Sequence, residues 1–297
     1  MILVVGATGS LGGRIARGLL ERGEKVRILT RRNSPSEELA KQGRATSAQS
    51  LVDLGAKVVY GDLKDRASLD AAVAGVDTVI STATATQREN GDTLESVDRQ
   101  GTLNLLDAAQ QAGVGHFIYT SATGASPDHP VPLFEIKGSC EQAVTGSGLT
   151  YTIVQPSLFM EVWIGMLVGI PLSMEVPIQL IGQGDHAHNF ISEADVADFI
   201  VGMVDNSRAY NQTVVIGGPA SYTWTEIVQE TGGRLGMELP TEYLPMGSPI
   251  AYLPPEVSVL ANGMETFEDF LDTAETARAY GVQPTSLGDF IDRTFVR

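Results

Sequence analysis

The apolar run Ile2-Leu3-Val4-Val5 leads without a break into Gly6-Ala7-Thr8-Gly9-Ser10-Leu11-Gly12, and no other stretch constrains the fold as tightly. The run is short and continuous, as in a strand buried on both faces of a parallel sheet. Beyond it, Leu11, Ile15 and Leu19 recur at helical spacing. A glycine turn between strand and helix has a specific use. Gly6 permits the tight bend, Gly9 lets backbone approach a diphosphate, and Gly12 lets helix and strand pack closely. Thr8, Ser10 and Leu11 complete the turn, and the amino end of the helix offers N–H groups to an anion. The pattern predicts dinucleotide binding.

The same alternation continues. Apolar segments at 2–5, 25–29, 57–60, 78–82, 117–120 and 152–154 read as strands. Between them, Leu94, Val97, Gly101, Leu105, Ala108 and Ala112 form one face of a helix over 94–112. Ser34-Pro35-Ser36-Glu37 reads as a capping box opening another helix. After Pro156 the pattern loosens; a helix over 193–204, a strand over 213–216 and helices from Ser221 onward, interrupted by prolines over 240–255, are expected. The expected fold is α/β, a doubly wound parallel sheet of Rossmann type with a smaller C-terminal substrate lobe. The dinucleotide domain is expected over 1–156, continued by about 190–218, with the lobe at 157–189 and 219–297.

The net charge of −16 opposes binding to nucleic acid or anionic membrane. The most apolar stretch, 157–172, holds Glu161 and Pro171 and is too short to span a bilayer. No basic leader opens the chain, and Cys140 is the single cysteine, so the expected location is a reducing cytoplasm without disulfides or cysteine-bound zinc.

Cofactor choice turns on the end of the second strand, Leu29-Thr30-Arg31-Arg32. An NAD site places an acid there; two arginines suit a 2′-phosphate instead. One charge-assisted bond contributes about 1.5–3 kcal/mol, roughly one to two decades of preference. NADP(H) is therefore expected over NAD(H), with Arg31 the main contact and Arg32 either a second contact or a solvated charge. In Gly61-Asp62-Leu63, Asp62 either accepts from the adenine amino group, with Leu63 against the ring, or caps the helix near Asp65. Ser81-Thr82-Ala83-Thr84 places small residues where ribose and diphosphate would pass, so Thr82 and Ala83 join the cofactor set.

These motifs, with Gly101-Thr102-Leu103-Asn104-Leu105-Leu106-Asp107-Ala108-Ala109, Phe117-Ile118-Tyr119-Thr120-Ser121-Ala122 and Tyr151-Thr152-Ile153-Val154-Gln155-Pro156, carry a resemblance. The chain resembles the NmrA-like, atypical short-chain dehydrogenase/reductase group, with its isoflavone-reductase-like and quinone-reductase-like members. The resemblance implies a catalytic Lys137 that also holds cofactor ribose, and Pro156 beside the cofactor. Leu133 stands where the group's usual tyrosine falls, four residues before the lysine. Ser121 is either a catalytic hydroxyl or a loop donor, and Tyr119 reads as core. Phe159, Met160 and Trp163 read as either core or a pocket for an apolar substrate.

The resulting expectation is a reductase passing hydride from NADPH to a quinone, enone or carbonyl. Two alternatives stand: a non-catalytic NADP(H) sensor or assembly factor with a protein partner, and a sugar-nucleotide epimerase or dehydratase. The oligomeric state is left open. No metal is expected: His186 and His188 read as a solvated loop, and nothing near them in sequence completes a ligand set. His116 and His129 are isolated. The pairs Glu226/Glu230 and Asp269/Asp272 read as solvated helical faces.

Overall fold

Strands that are apolar along their whole length need cover on both faces, and the computed structural model supplies it with alternating helices. The structure describes all residues except 33, 35, 42–44, 87–90 and 297. In chain order the strands are β1 (Ile2–Val5), β2 (Val26–Thr30), β3 (Lys57–Tyr60), β4 (Thr78–Ser81), β5 (His116–Thr120), β6 (Tyr151–Pro156), β7 (Leu158–Phe159), β8 (Ile178–Ile181), β9 (His188–Ile191), β10 (Gln212–Ile216), β11 (Ser221–Tyr222) and β12 (Thr241–Leu244). The α-helices are α1 (Ser10–Glu21), α2 (Ser36–Lys41), α3 (Ala48–Asp53), α4 (Arg66–Val73), α5 (Gln100–Ala112), α6 (Pro132–Thr145), α7 (Met160–Ile164), α8 (Ile170–Met174), α9 (Glu193–Met203), α10 (Trp224–Leu235), α11 (Pro255–Met264), α12 (Ala274–Tyr280) and α13 (Leu287–Phe295). Two compact units form: Met1–Pro156 with Val196–Val215, and Ser157–Asp195 with Ile216–Arg297.

The first unit is built on a seven-stranded sheet of order β10-β6-β5-β4-β1-β2-β3. From β3 to β6 every register is parallel; Ile2, for instance, lies opposite Val26 on one side and Thr78 on the other. All residues of β1, β4 and β5 are buried. This is the doubly wound sheet that the alternation predicts. The helix expected over 94–112 begins instead as a π-helical turn, Leu94–Arg99, before α5 continues it. The wide turn carries the buried Asp98, whose Oδ2 accepts from the Ala85 amide at 2.8 Å. In the capping box read at 34–37, Pro35 lies outside the described residues, while α2 starts at Ser36.

The second unit packs Met160, Ile164, Leu167, Phe190, Trp224 and Phe290 into a core of its own. It holds a three-stranded sheet, β11-β9-β7, and a two-stranded one, β12-β8. Asn189 clamps it: Oδ1 accepts from the Gly218 amide at 2.9 Å and the Ser157 hydroxyl at 2.8 Å, while Nδ2 donates to the carbonyls of Gly218 and Ala220. Two sequence readings are corrected here. Asp269 and Asp272 lie on no helix; their segment runs between α11 and α12, with the Asp269 amide donating to the Ala187 carbonyl and its carbonyl accepting from the Ser221 hydroxyl. Its backbone bonds go across the unit, not along a helix. His188 is in β9, not a solvated loop, and is buried, with Nε2 bonded to the Met264 carbonyl. No helix among the described residues is long and apolar enough to cross a membrane.

His116, isolated in the sequence, has a determined tautomer. Thr152 donates its one hydroxyl proton to the Ala209 carbonyl at 2.7 Å, so the 2.8 Å contact with His116 Nε2 requires an N–H on that nitrogen. Nδ1 is then bare, buried and without a partner among the described residues. Protonating it would bury a charge with no acceptor, and desolvation holds the imidazole down from 6.5 to about 4. Neutral His116 is stable above the unfolded value, and that stability is lost as pH falls through about 4. Chemical denaturation at pH 7 and pH 4 is expected to show a loss of up to about 3 kcal/mol from this group. In His116→Gln the pH 7-to-4 difference should shrink by that amount; an unchanged difference would refute the assignment.

Candidate functional site

Strand order reverses between β1 and β4, so a crevice opens beyond their carboxyl ends. The glycine turn fills that position. Gly6 has φ +91°, and a Cβ on it would lie 2.6 Å from Thr82 Oγ1 and 3.0 Å from the Ala83 amide. A Cβ on Gly12 would collide with the Gly6 carbonyl. The turn is closed by the Gly9 amide donating to the Gly6 carbonyl at 2.8 Å. Thr82 is fixed against it, with both amide and hydroxyl on the Val5 carbonyl at 3.0 and 3.2 Å. Helix α1 starts after Gly9 with no side-chain cap and no acidic residue in its first turn. Gly13 donates to the Gly9 carbonyl, which leaves the Leu11 and Gly12 amides ahead of it without intrahelical acceptors. No carboxylate of α1 competes for the positive end of its dipole, so an external anion suits it. The half-buried Thr8 gives its carbonyl to the Thr46 amide, and the Thr46 hydroxyl donates to the Gly9 carbonyl at 3.2 Å. Thr46 carried no sequence signal; only the folded chain sets it on the glycine turn.

Beyond the ends of β2 and β3 lies a cavity of about 650 Å³ lined by Arg31, Arg32, Tyr60, Gly61, Asp62, Asp65 and Ser68. The Arg32 guanidinium stacks on the exposed Tyr60 ring, 4.6 Å from its centroid. Arg31 is held by Asp92 at 2.9 Å, and Lys64 reaches the other oxygen of the same buried carboxylate at 2.5 Å. One anion thus holds two cations in place. Thr30 is buried, its carbonyl accepting from the Gly61 amide. Asp62 is no helix cap: its Oδ1 accepts from the Lys64 amide at 2.9 Å, while Asp65 occupies the N-cap position of α4. Leu63 is only 7% exposed and belongs to the core, against Gly101 and α5, which leaves its side chain little surface for a ring contact.

A third group gathers at the ends of β5 and β6. Lys137, on α6, donates from Nζ to the Thr120 carbonyl at 3.2 Å and sits 5.6 Å from the centroid of the core residue Tyr119. Burial pulls its ammonium below the ordinary lysine value. Ser121 is 3% exposed, and neither its Oγ nor Thr120 Oγ1 has a hydrogen-bond partner among the described residues. Leaving a buried hydroxyl unsatisfied costs about 1–3 kcal/mol, so this corner suits a polar ligand. Asp98 faces it electrostatically and its Oδ1 is likewise unpartnered. Buried Pro156 ends β6 and accepts from the Thr123 amide. Leu133, one turn before Lys137, is half-buried and offers no proton.

Parallel strands end on one edge, so these groups share the carboxyl edge of the first unit's sheet. Tyr60, Lys64, Asp92, Asp98 and Thr46 are additions that the sequence did not reveal. Met160 is fully buried in the second unit's core and is withdrawn as a pocket residue; Phe159 and Trp163 are half-buried. His186 lies in the irregular segment before β9 and is partly exposed, as read; what the sequence could not show is Glu265, 79 positions away, whose carboxylate comes to 3.4 Å from His186 Nδ1.

A model of the NmrA-like family matches residues 1–291. The chain belongs to the NmrA-like family. Among its relatives, photosystem II assembly factor Ycf39 of Synechocystis sp. is 31% identical, over 77% of this chain and 65% of that protein. The NAD(P)H azoreductase of Xenophilus azovorans is 30% identical, over 80% of this chain and 74% of that protein. The NADPH-dependent quinone oxidoreductase QOR2 of Escherichia coli, solved with NADPH, shares the fold at TM-score 0.77 and 22% identity, covering 99% of this chain and 100% of that one. Triphenylmethane reductase of Citrobacter sp., solved with NADP(H), gives 0.80 and 19%, covering 99% and 100%.

The collision at Gly12 makes a clear prediction. Gly12→Ala should separate α1 from the Gly6 turn and weaken NADPH binding by at least about tenfold, about 1.4 kcal/mol in calorimetry. Unchanged affinity in a variant folded by circular dichroism would show that the turn does not hold the diphosphate.

Proposed function

We propose that this NmrA-like protein is an NADP(H)-dependent reductase of small apolar electrophiles such as quinones, enones or carbonyls. The observation that carries the reading is the Lys137 ammonium held on the Thr120 carbonyl, one residue before the buried Ser121 hydroxyl that has no partner among the described residues, on the sheet edge that also carries the glycine turn. The cofactor, when bound, supplies the hydride. Gly6, Gly9, Leu11, Gly12, Thr82 and Ala83 would hold its diphosphate, with Thr8 and Ser10 in the same turn. Arg31 and Arg32 would hold the 2′-phosphate, favouring NADP(H) over NAD(H), and Thr30, Asp62 and Leu63 flank them. Lys137, Ser121 and Pro156 would orient the nicotinamide ribose.

Lys137 also has a proton to give. With Leu133 at the tyrosine position, its ammonium is a proton donor that the tyrosine would otherwise supply, and it would stabilise negative charge developing on the substrate oxygen. Ser121 adds a hydrogen bond. The reading assigns substrate selection to the second unit, whose half-buried rings include Phe159 and Trp163. Relatives named as an azoreductase and as phenylcoumaran benzylic ether reductases support reductase chemistry.

A second reading, a dinucleotide-binding assembly factor, is favoured by the Ycf39 relatives and by Leu133. NADPH oxidation followed at 340 nm across quinones, enones and azo dyes separates the two. Turnover that Lys137→Met abolishes supports the reductase; tight NADPH binding with no turnover on any acceptor supports the assembly factor. Because burial lowers the Lys137 pKa, activity that needs the ammonium should fall with rising pH at a point below the ordinary value of about 10.4.

The cofactor preference is tested separately. Arg31→Ala should weaken NADP binding by about 10- to 100-fold while leaving NAD nearly unchanged. Equal losses for both would remove the 2′-phosphate assignment.

A further inference from the structure

Within the second unit, three donors converge that no part of the proposed reduction uses. Asp185 and His186 follow β8 in the turn toward β9, and Glu265 is the C-cap residue of α11. Asp185, His186 and Glu265 each present one ligand atom, all within 4.8 Å of one another. His186 Nδ1 lies 3.5 Å from Asp185 Oδ1 and 3.4 Å from Glu265 Oε2. These separations carry no hydrogen bond: Nδ1 is buried and has no hydrogen-bond partner among the described residues. They do match another geometry. Donors about 2.1 Å from a tetrahedral ion stand about 3.4 Å apart.

Glu265 gives the independent indication. Its side chain is 3% exposed, and Oε1 is buried with no hydrogen-bond partner among the described residues. A buried carboxylate at the C-terminus of a helix faces the negative end of the dipole, the least favourable place for an uncompensated anion. Gly182, at φ +64°, keeps the space beside it open: a Cβ there would stand 3.1 Å from Oε2. Asp185, largely exposed, adds a second negative charge and leaves one side of the group open to solvent. Two carboxylates and one imidazole make a mixed oxygen and nitrogen set suited to a first-row divalent cation.

We propose that Asp185, His186 and Glu265 bind one such cation, of the zinc class, with solvent completing its coordination. The ion would tie the β8–β9 turn to the end of α11.

The test uses the full chain, stripped with chelator and dialysed. Cobalt(II) titration is expected to give visible d–d absorption saturating at about one equivalent, displaced by zinc, with a rise in melting temperature. Asp185→Ala and His186→Ala, whose side chains are solvent-accessible, test the ligands if Glu265→Gln fails to fold. Because loss of an outer-shell partner alone costs about 10–100-fold, loss of either ligand should weaken binding at least that much. No saturable absorption in the wild type, or unchanged affinity in both variants, overturns the proposal.

Discussion

The first unit depends on how closely a backbone turn can approach a helix. With a side chain at Gly12, α1 could not lie against the Gly6 carbonyl, and with one at Gly6 the turn would strike Thr82. The contact brings the amino end of α1 to the place where strand order reverses, and it does so with backbone alone. An anion there meets N–H groups whose directions are set by the helix, so binding needs little reorganisation.

Around that contact the edge is graded electrostatically. At one end, Asp92 holds Arg31 and Lys64 in position, while Tyr60 supports Arg32. At the other end, a desolvated Lys137 donates to the Thr120 carbonyl, and the Thr120 and Ser121 hydroxyls have no partner among the described residues. A chain of net charge −16 thus places cations along the one sheet edge where a polyanion would be received. The absence of an acid in the first turn of α1 belongs to the same arrangement.

Much of this was legible in the residues. The glycine spacing, the continuous apolar strands and the pair Arg31-Arg32 are local signals, each tied to a mechanism that acts within a few residues. The π-helical turn at Leu94–Arg99 was not legible, because the helical spacing of its apolar residues does not distinguish it from α-helix, and the Ala85 amide that donates to Asp98 within it lies 13 residues earlier. Met160 shows the limit of reading aromatic and sulfur side chains by spacing. Core and pocket residues are written in the same alphabet, and burial alone separates them.

The residues alone therefore specified a parallel α/β sheet, a glycine turn leading into a helix and a pair of cations at the end of the second strand, since period, backbone freedom and charge are properties of short segments. Folding settled the rest. That Asp92 would hold both Arg31 and Lys64, that Thr46 would rest on the glycine turn, that His116 would be neutral, and that Glu265 would meet His186 all join residues far apart in the chain. Such encounters are set by how whole elements pack, and no window of sequence contains both partners.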